Sequence, residues 1–196
     1  MAIFGGGIDL LGNPSQEGLY KMLVFMAAGF LSILVHELGH GLMMKRYGRQ
    51  PDIILHGLGG VAISQGRALS RMESFLVTIM GPLAQIALGC IAFGIFVAVG
   101  PSAFPTVQSL HFVESLYFVS FFWALINLIP IFPLDGGQIL SIALGPKRQR
   151  AVHVTSIVIA GLMVGYLLAN GIVAIFGLVI LAMLIMDNVK ALKGVR

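Results

Sequence analysis

The sequence predicts an all-α polytopic membrane protein with about five (five or six) transmembrane helices. Hydrophobic residues make up 58% of the chain and charged residues 10%, and the mean hydropathy of +0.97 is far above that of a soluble domain. A helix needs roughly 20 apolar residues to cross a bilayer, so 196 residues allow about five or six spans. We therefore expect one membrane domain over residues 1–196.

The first half of the chain predicts two spans separated by a polar stretch. Residues 1–18 contain several glycines and no Lys or Arg, which favours a short interfacial segment over a cleaved signal peptide. The first span runs from about Leu19 to Met44 and the second from about Phe75 to Val99. Between them, Ile53 to Ser64 mixes β-branched residues with glycines. This composition predicts a short strand-like or re-entrant segment after the first span.

The second half predicts one broken span and a helical hairpin. The third span covers about Leu110 to Ile129 and ends at Pro130 and Pro133, after which a short apolar segment begins at Asp135 and ends near Gly145. Two further spans, residues 152–169 and 172–186, are separated only by an Asn-Gly pair. We expect them to form a C-terminal hairpin within residues 152–190.

The basic residues predict the orientation of this path. Except for Lys21, they cluster in three regions, at residues 45–71, 147–150 and 190–196. With five spans, all three clusters fall on one side, and Lys and Arg concentrate in cytoplasmic loops. We therefore expect the N-terminus outside, the C-terminus in the cytoplasm, and both residue 40 and residue 135 near the cytoplasmic side.

The first span contains the sequence H-E-L-G-H at residues 36–40. Residues four apart lie on one face of a helix, so His36 and His40 can bind one metal ion while Glu37 lies beside it. This pattern is typical of zinc hydrolases, in which three protein ligands leave one position for water. The alternative is a buried polar network of the three side chains without a metal.

Asp135 is the best candidate for a third ligand. A carboxylate at membrane depth costs roughly 2.5 to 3.5 kcal/mol, and the other candidates, Glu114 and Asp187, lie nearer the ends of predicted spans. Asp135 lies in P-L-D-G-G, and irregular backbone is tolerated at membrane depth where it lines a buried or watered cavity. We expect one zinc ion per chain, bound by His36, His40 and Asp135. The alternative for Asp135 is helix N-capping.

Two motifs resemble those of the site-2 proteases, which are intramembrane zinc metalloproteases. They are H-E-L-G-H at 36–40 and N-L-I-P-I-F-P-L-D-G-G from Asn127 to Gly137. Weaker similarities are G-L-G-G-V at 57–61 and G-P-L-A-Q at 81–85, where the family more often has Asn in place of Gln85. The resemblance covers roughly residues 31–144, the motif-bearing core.

The residues and the resemblance together predict a zinc-dependent intramembrane endopeptidase. Glu37 would act as general base and then general acid. Asn127 would stabilise the oxyanion, as the resemblance also implies, or else bridge two helices. The resemblance implies membrane-tethered regulatory proteins as substrates.

The expected partners are therefore a substrate with a transmembrane helix and the lipid bilayer, with no nucleic acid; a separate regulatory protein is a further candidate. Two other functions stay open. One is a metal-ion or proton transporter, and the other is a metal-binding membrane scaffold that does not cleave.

Overall fold

The structure is a computed structural model that describes residues 16–56, 59–171 and 175–194. Within these ranges the side chains are described at every position except 53–65 and 176. Six α-helices and two strands are described. In chain order they are α1 (Gln16–Arg46), β1 (Gln50–His56), β2 (Gly59–Gln65), α2 (Arg71–Val99), α3 (Val107–Asn127), α4 (Asp135–Leu144), α5 (Gln149–Ala169) and α6 (Ile175–Leu192). Short 3-10 turns at Pro101–Ala103 and Pro146–Arg148 precede α3 and α5.

The helices confirm an integral, polytopic α-helical membrane protein. Within the described residues, four helical segments are long and apolar enough to cross a membrane: Gln16–Arg46, Arg71–Val99, Val107–Asn127 and Pro146–Ala169. The predicted fifth span begins at residues 172–174, which lie outside the described residues, and its described part is α6. The predicted interfacial segment, residues 1–18, also lies largely outside them.

The segment after the first span is a β-hairpin, as its composition predicted. Strands β1 and β2 pair antiparallel, with Gln50 opposite Gln65 and His56 opposite Gly59. The β-branched residues favour the extended backbone of the two strands. The backbone of the predicted strand-like region therefore forms a sheet of two strands.

The chain divides into two compact units. One contains the described residues up to Ala68 together with Met80–Ala124, and the other contains Leu69–Ile79 and the described residues from Leu125 onward. The core of the first is centred on Ala28, Ala92 and Leu116, all buried. The core of the second is centred on Ile131, Ala160 and Leu181. The single domain expected from the sequence stays a prediction.

Helix α1 buries small and polar side chains along one stripe. Ala28, Ser32, His36 and His40 recur every four residues and are buried, whereas Leu42 is 66% exposed. In a soluble protein the apolar face would be the buried one. The inverted pattern fits a helix surrounded by lipid, because there the exposed face is the apolar one.

The proline break separates α3 from the short helix α4. α4 begins at Asp135, as predicted, and its N-cap residue is Leu134, with no side-chain capping hydrogen bond. Asp135 is thus the first helical residue and not the cap. The N-capping alternative for Asp135 is wrong, because the helix starts one residue too early for its carboxylate to occupy the cap position.

Candidate metal centre

The two imidazoles of the H-E-L-G-H motif face each other inside the first unit. Nε2 of His36 lies 3.1 Å from Nε2 of His40, and the rings meet edge to face with centroids 4.7 Å apart. Both side chains are buried. The helical spacing of four residues produces this pairing directly, because it places both rings on one face of α1.

This pair fits a metal ion. Two nitrogens bound to one zinc ion at about 2.1 Å in tetrahedral geometry lie about 3.4 Å apart, close to the 3.1 Å between the His36 and His40 nitrogens. Such a contact suits either an N–H···N hydrogen bond, in which Nε2–H of one ring donates to the Nε2 lone pair of the other, or a metal ion between two Nε2 lone pairs. The donor set, two imidazole nitrogens on a buried helix face, suits zinc in particular.

Gln85 sets the tautomer of His36. The Gln85 amide NH2 donates to Oγ of Ser32 at 2.8 Å, so its carbonyl oxygen faces Nδ1 of His36 at 3.0 Å. His36 therefore donates from Nδ1 and directs its Nε2 lone pair toward Nε2 of His40. Oγ of Ser32 also bonds Oγ of Ser120 at 3.0 Å, which extends the buried chain of hydrogen bonds to α3.

Two glycines allow α1 and α2 to approach closely beside the histidines. A Cβ atom at Gly81 would overlap the His40 ring, and a Cβ atom at Gly39 would overlap the backbone carbonyl of Met80. The His40 imidazole thus packs directly on the α2 backbone, where no side chain fits. This contact holds the ring in place from the side, as Gln85 holds His36.

Glu37 lies between the two histidines in the sequence. It is buried, with 5% of its surface exposed. A carboxylate in an apolar helix is costly without partners or a metal. Glu37 follows His36 directly on α1, which is the sequence position of the general base in H-E-x-x-H motifs.

Asp135 begins α4 in the second unit and is 6% exposed. The first turn of α4 rests on the segment before it. A Cβ atom at Gly136 would overlap the carbonyl of Leu128, and one at Gly137 would overlap the backbone of Phe132. The glycines of the P-L-D-G-G sequence therefore let the helix that carries Asp135 lie against its own incoming chain.

The remaining candidates have other surroundings. Asn127 is the last residue of α3 and is half-buried. Oε2 of Glu114 lies 3.3 Å from Nδ1 of His111, and Asp187 is exposed beside Lys190. These pairings explain Glu114 and Asp187 without a metal. The His56 side chain lies outside the described ones.

Comparison with known proteins identifies the group to which this chain is related. Residues 95–169 match the model of peptidase family M50. A zinc metalloprotease of Methanocaldococcus jannaschii is 31% identical over 144 residues, which are 72% of this chain and 39% of the relative. Stage IV sporulation protein FB of Bacillus subtilis is 33% identical over 112 residues, 56% of this chain and 36% of the relative. The chain thus spans less than half the length of these relatives.

The fold agrees with a solved structure. The site-2 protease from Methanocaldococcus jannaschii superimposes with a TM-score of 0.65 over 97% of this chain and 84% of that one, at 23% identity. This superposition shows that the fold is shared. By its match to the family model and its similarity to the zinc metalloprotease, the chain belongs to peptidase family M50, the family of the site-2 proteases. The resemblance drawn from the two motifs is thereby confirmed.

Some residues of this family member that support the site have no signature in the sequence. The sequence does not indicate the roles of Ser32 and Ser120, because a serine in an apolar run gives no indication of its partner. For Gln85 it shows only a difference from the Asn that is more frequent in the family. The spacing of Ser32 four residues before His36 was the available signal, since it places the two side chains on one face of α1.

Proposed function

We propose that this chain is a zinc-dependent intramembrane endopeptidase, which cleaves peptide bonds in or near the transmembrane segments of membrane-tethered regulatory proteins. The observation that carries the proposal is the buried pair of Nε2 atoms of His36 and His40, 3.1 Å apart. Glu37, the residue after His36 on α1, is buried as well. Peptidase family M50 membership supports the reaction class.

Zinc is the cofactor, and we propose that His36, His40 and Asp135 bind one ion per chain. These three residues are a group of described side chains that could hold a metal ion. Two histidines and a carboxylate leave a fourth position for water, the arrangement of a catalytic zinc site. A zinc ion bound there supplies acidified water and polarises a carbonyl group.

Side chains of the protein would transfer the proton of the attacking water and stabilise the negative charge that develops on the scissile carbonyl oxygen. Glu37 accepts the proton of the attacking water and then donates it to the departing amine, so that one carboxylate acts as base and acid in turn. Asn127 donates from its side-chain amide to the oxygen of the scissile carbonyl as that oxygen becomes negative. An amide does this without adding charge at membrane depth.

The β-hairpin is the proposed binding surface for the unwound substrate. A helical substrate keeps its carbonyls in hydrogen bonds, so the cleaved segment must become extended. Within the described residues the sheet has two strands, and an extended peptide can pair with an outer edge through backbone hydrogen bonds. Peptide substrates methylated at alternate backbone nitrogens test this, because methyl groups on the pairing side should raise KM and those on the other side should not.

The proposed orientation in the membrane rests on the three clusters of Lys and Arg residues. We propose an N-terminus outside, a C-terminus in the cytoplasm and an active site toward the cytoplasmic side. Reporter fusions after residues 48, 102 and 148 test this, since the first and third should report the cytoplasm and the second the opposite side.

The decisive experiment compares wild type with Glu37→Gln after reconstitution in detergent with membrane-tethered peptides. The variant should retain zinc and lose cleavage, because the ligands remain and the proton acceptor is gone. Glu114→Gln is the matched control, since Glu114 contacts His111 on α3, and it should cleave normally. Cleavage by Glu37→Gln at the wild-type rate would refute the proposal.

The two other functions predict different outcomes. A non-cleaving scaffold would bind zinc and show no turnover in the wild type with any tethered substrate. A metal-ion or proton transporter is not favoured, because the matching family model is that of a peptidase family.

A further inference from the structure

We propose that Asn188, on the C-terminal helix α6, is a positioning residue for the chain segment that leads into Asp135. The inference rests on the proposed function, because it concerns the proposed ligand Asp135. It assigns a role to α5 and α6, which carry none of the motifs that indicate the metal site.

The contacts converge on the backbone of one residue before α4. The N–H of Phe132 donates to Oγ of Ser156 at 2.9 Å, and its C=O accepts from Nδ2 of Asn188 at 2.6 Å. The first partner lies on α5 and the second on α6. Phe132 stands three residues before Asp135, so side chains of two helices bind both backbone polar groups of this residue at the helix entrance.

Both partners are fully enclosed. Ser156 is 0% and Asn188 1% exposed, in helices that otherwise are mainly apolar. A buried polar side chain in such a helix is stable only when it is hydrogen-bonded. Here the bonds go to irregular backbone, which itself needs partners at this depth. The two side chains and the backbone N–H and C=O of Phe132 therefore satisfy each other's hydrogen-bonding groups.

The orientation of the Asn188 amide is fixed by its other contacts. Its Oδ1 lies 2.8 Å from Nδ1 of His153, and its Nδ2 also donates to the carbonyl of Leu184 at 2.8 Å. The His153 ring meets the Phe132 ring edge to face, with centroids 5.5 Å apart. Asn188 is thus held with its NH2 group toward Phe132 and cannot turn its amide without losing several hydrogen bonds.

A shift of Phe132 would reach Asp135 directly. The N–H of Leu134 bonds the carbonyl of Ile131 at 2.8 Å, and a Cβ atom at Gly137 would overlap the backbone of Phe132. The first turn of α4 is therefore in contact with the backbone of Phe132, the residue whose N–H and C=O are bound by Ser156 and Asn188. Close-packed backbone transmits displacements, so the position of the Asp135 carboxylate depends on this hydrogen bond.

The test uses Asn188→Leu, which keeps the side-chain volume and removes the amide. Two quantities are measured: the zinc affinity by competition with a chelator, and hydrogen exchange of residues 128–137 in the metal-free protein. We expect faster exchange in this segment and about tenfold weaker zinc binding. Asn170→Leu is the matched control, because Asn170 lies exposed in the same hairpin, and it should change neither quantity.

Ser156→Ala removes the other hydrogen bond to Phe132 with a smaller change of volume. It should shift both measurements in the same direction as Asn188→Leu. If Asn188→Leu also accelerates hydrogen exchange in α1, the substitution destabilises more than residues 128–137. In that case the exchange and zinc affinity of Ser156→Ala decide whether the hydrogen bonds to Phe132 position Asp135. A merely structural role would lower stability without weakening zinc binding in the folded protein.

Asp135→Asn, measured in parallel, separates the two hypotheses. If it loses zinc while Asn188→Leu and Ser156→Ala bind zinc within about twofold of wild type, with unchanged exchange of residues 128–137, the inference is overturned and the proposed ligand set stands. If Asp135→Asn binds zinc as tightly as wild type, the ligand set fails, and the role assigned to Asn188 fails with it.

Discussion

Nδ1 of His36 donates a hydrogen bond to Oε1 of Gln85 across 3.0 Å, and this contact sets the tautomer of a proposed zinc ligand. Gln85 is completely buried and is itself oriented by Ser32. A fixed imidazole with its Nε2 lone pair exposed binds a metal ion more tightly than a ring that must reorient.

Replacing Gln85 by Leu should weaken zinc binding by about 10- to 100-fold, because His36 loses the acceptor that fixes its tautomer. Chelator competition on the purified protein measures this. Gln85→Glu keeps an acceptor for Nδ1 and should retain more of the affinity than Gln85→Leu. Equal affinities of Gln85→Leu and wild type would show that the hydrogen bond does not orient the ligand.

Gly81→Ala should displace the His40 ring, because the added methyl group would occupy the space of that imidazole. We expect loss of zinc together with a destabilisation of about 1 to 3 kcal/mol from overpacking. Zinc content and the unfolding midpoint measure the two effects. Gly94→Ala on the same helix is the control, since nothing lies within 4 Å of its Cβ position, and zinc content should be unchanged there.

Gly136→Ala should move the first turn of α4 away from the carbonyl of Leu128. Backbone cannot yield as a flexible side chain can, so we expect lower thermal stability and weaker zinc binding. Gly161→Ala on α5 has open space around its Cβ position and should be neutral or slightly stabilising, by up to about 1 kcal/mol of helix propensity. The idea fails if both alanine variants behave alike.

Arg71→Met should destabilise the C-terminal end of α4. The Arg71 guanidinium donates to the carbonyls of Ile142 at 2.6 Å and Ala143 at 2.7 Å, which have no helical partner at this end. Because Arg71 is exposed, the expected loss is only about 1 kcal/mol. Faster hydrogen exchange at the end of α4 is the readout, and Arg150→Met, an exposed Arg on α5, should not show it.

Local sequence patterns predicted the parts of the site that depend on near neighbours. The pairing of His36 with His40 follows from the repeat of the helix, and the break between α3 and α4 follows from the prolines before Asp135. The β-hairpin followed from its β-branched residues and glycines. These features need no knowledge of how distant segments pack.

The N-capping alternative for Asp135 shows the limit of such local reasoning. An Asp before two glycines suits a cap as well as a first helical residue. The choice depends on where the backbone turns, and that depends on the packing of Gly136 and Gly137 against the preceding segment. The helix therefore starts one residue earlier than a cap would require.

By itself, the sequence determined that the chain is a polytopic membrane protein of the site-2 protease family and which residues offer metal ligands, since hydropathy and motif spacing are local properties. Only the tertiary structure decided the supporting partners: Gln85 for His36, Gly81 for His40, and Asn188 with Ser156 for Phe132. His36 and Gln85 are 49 residues apart, and Phe132 and Asn188 are 56 apart. A polar residue in an apolar segment predicts that a hydrogen-bond partner exists, but the packing of the helices determines which residue that partner is.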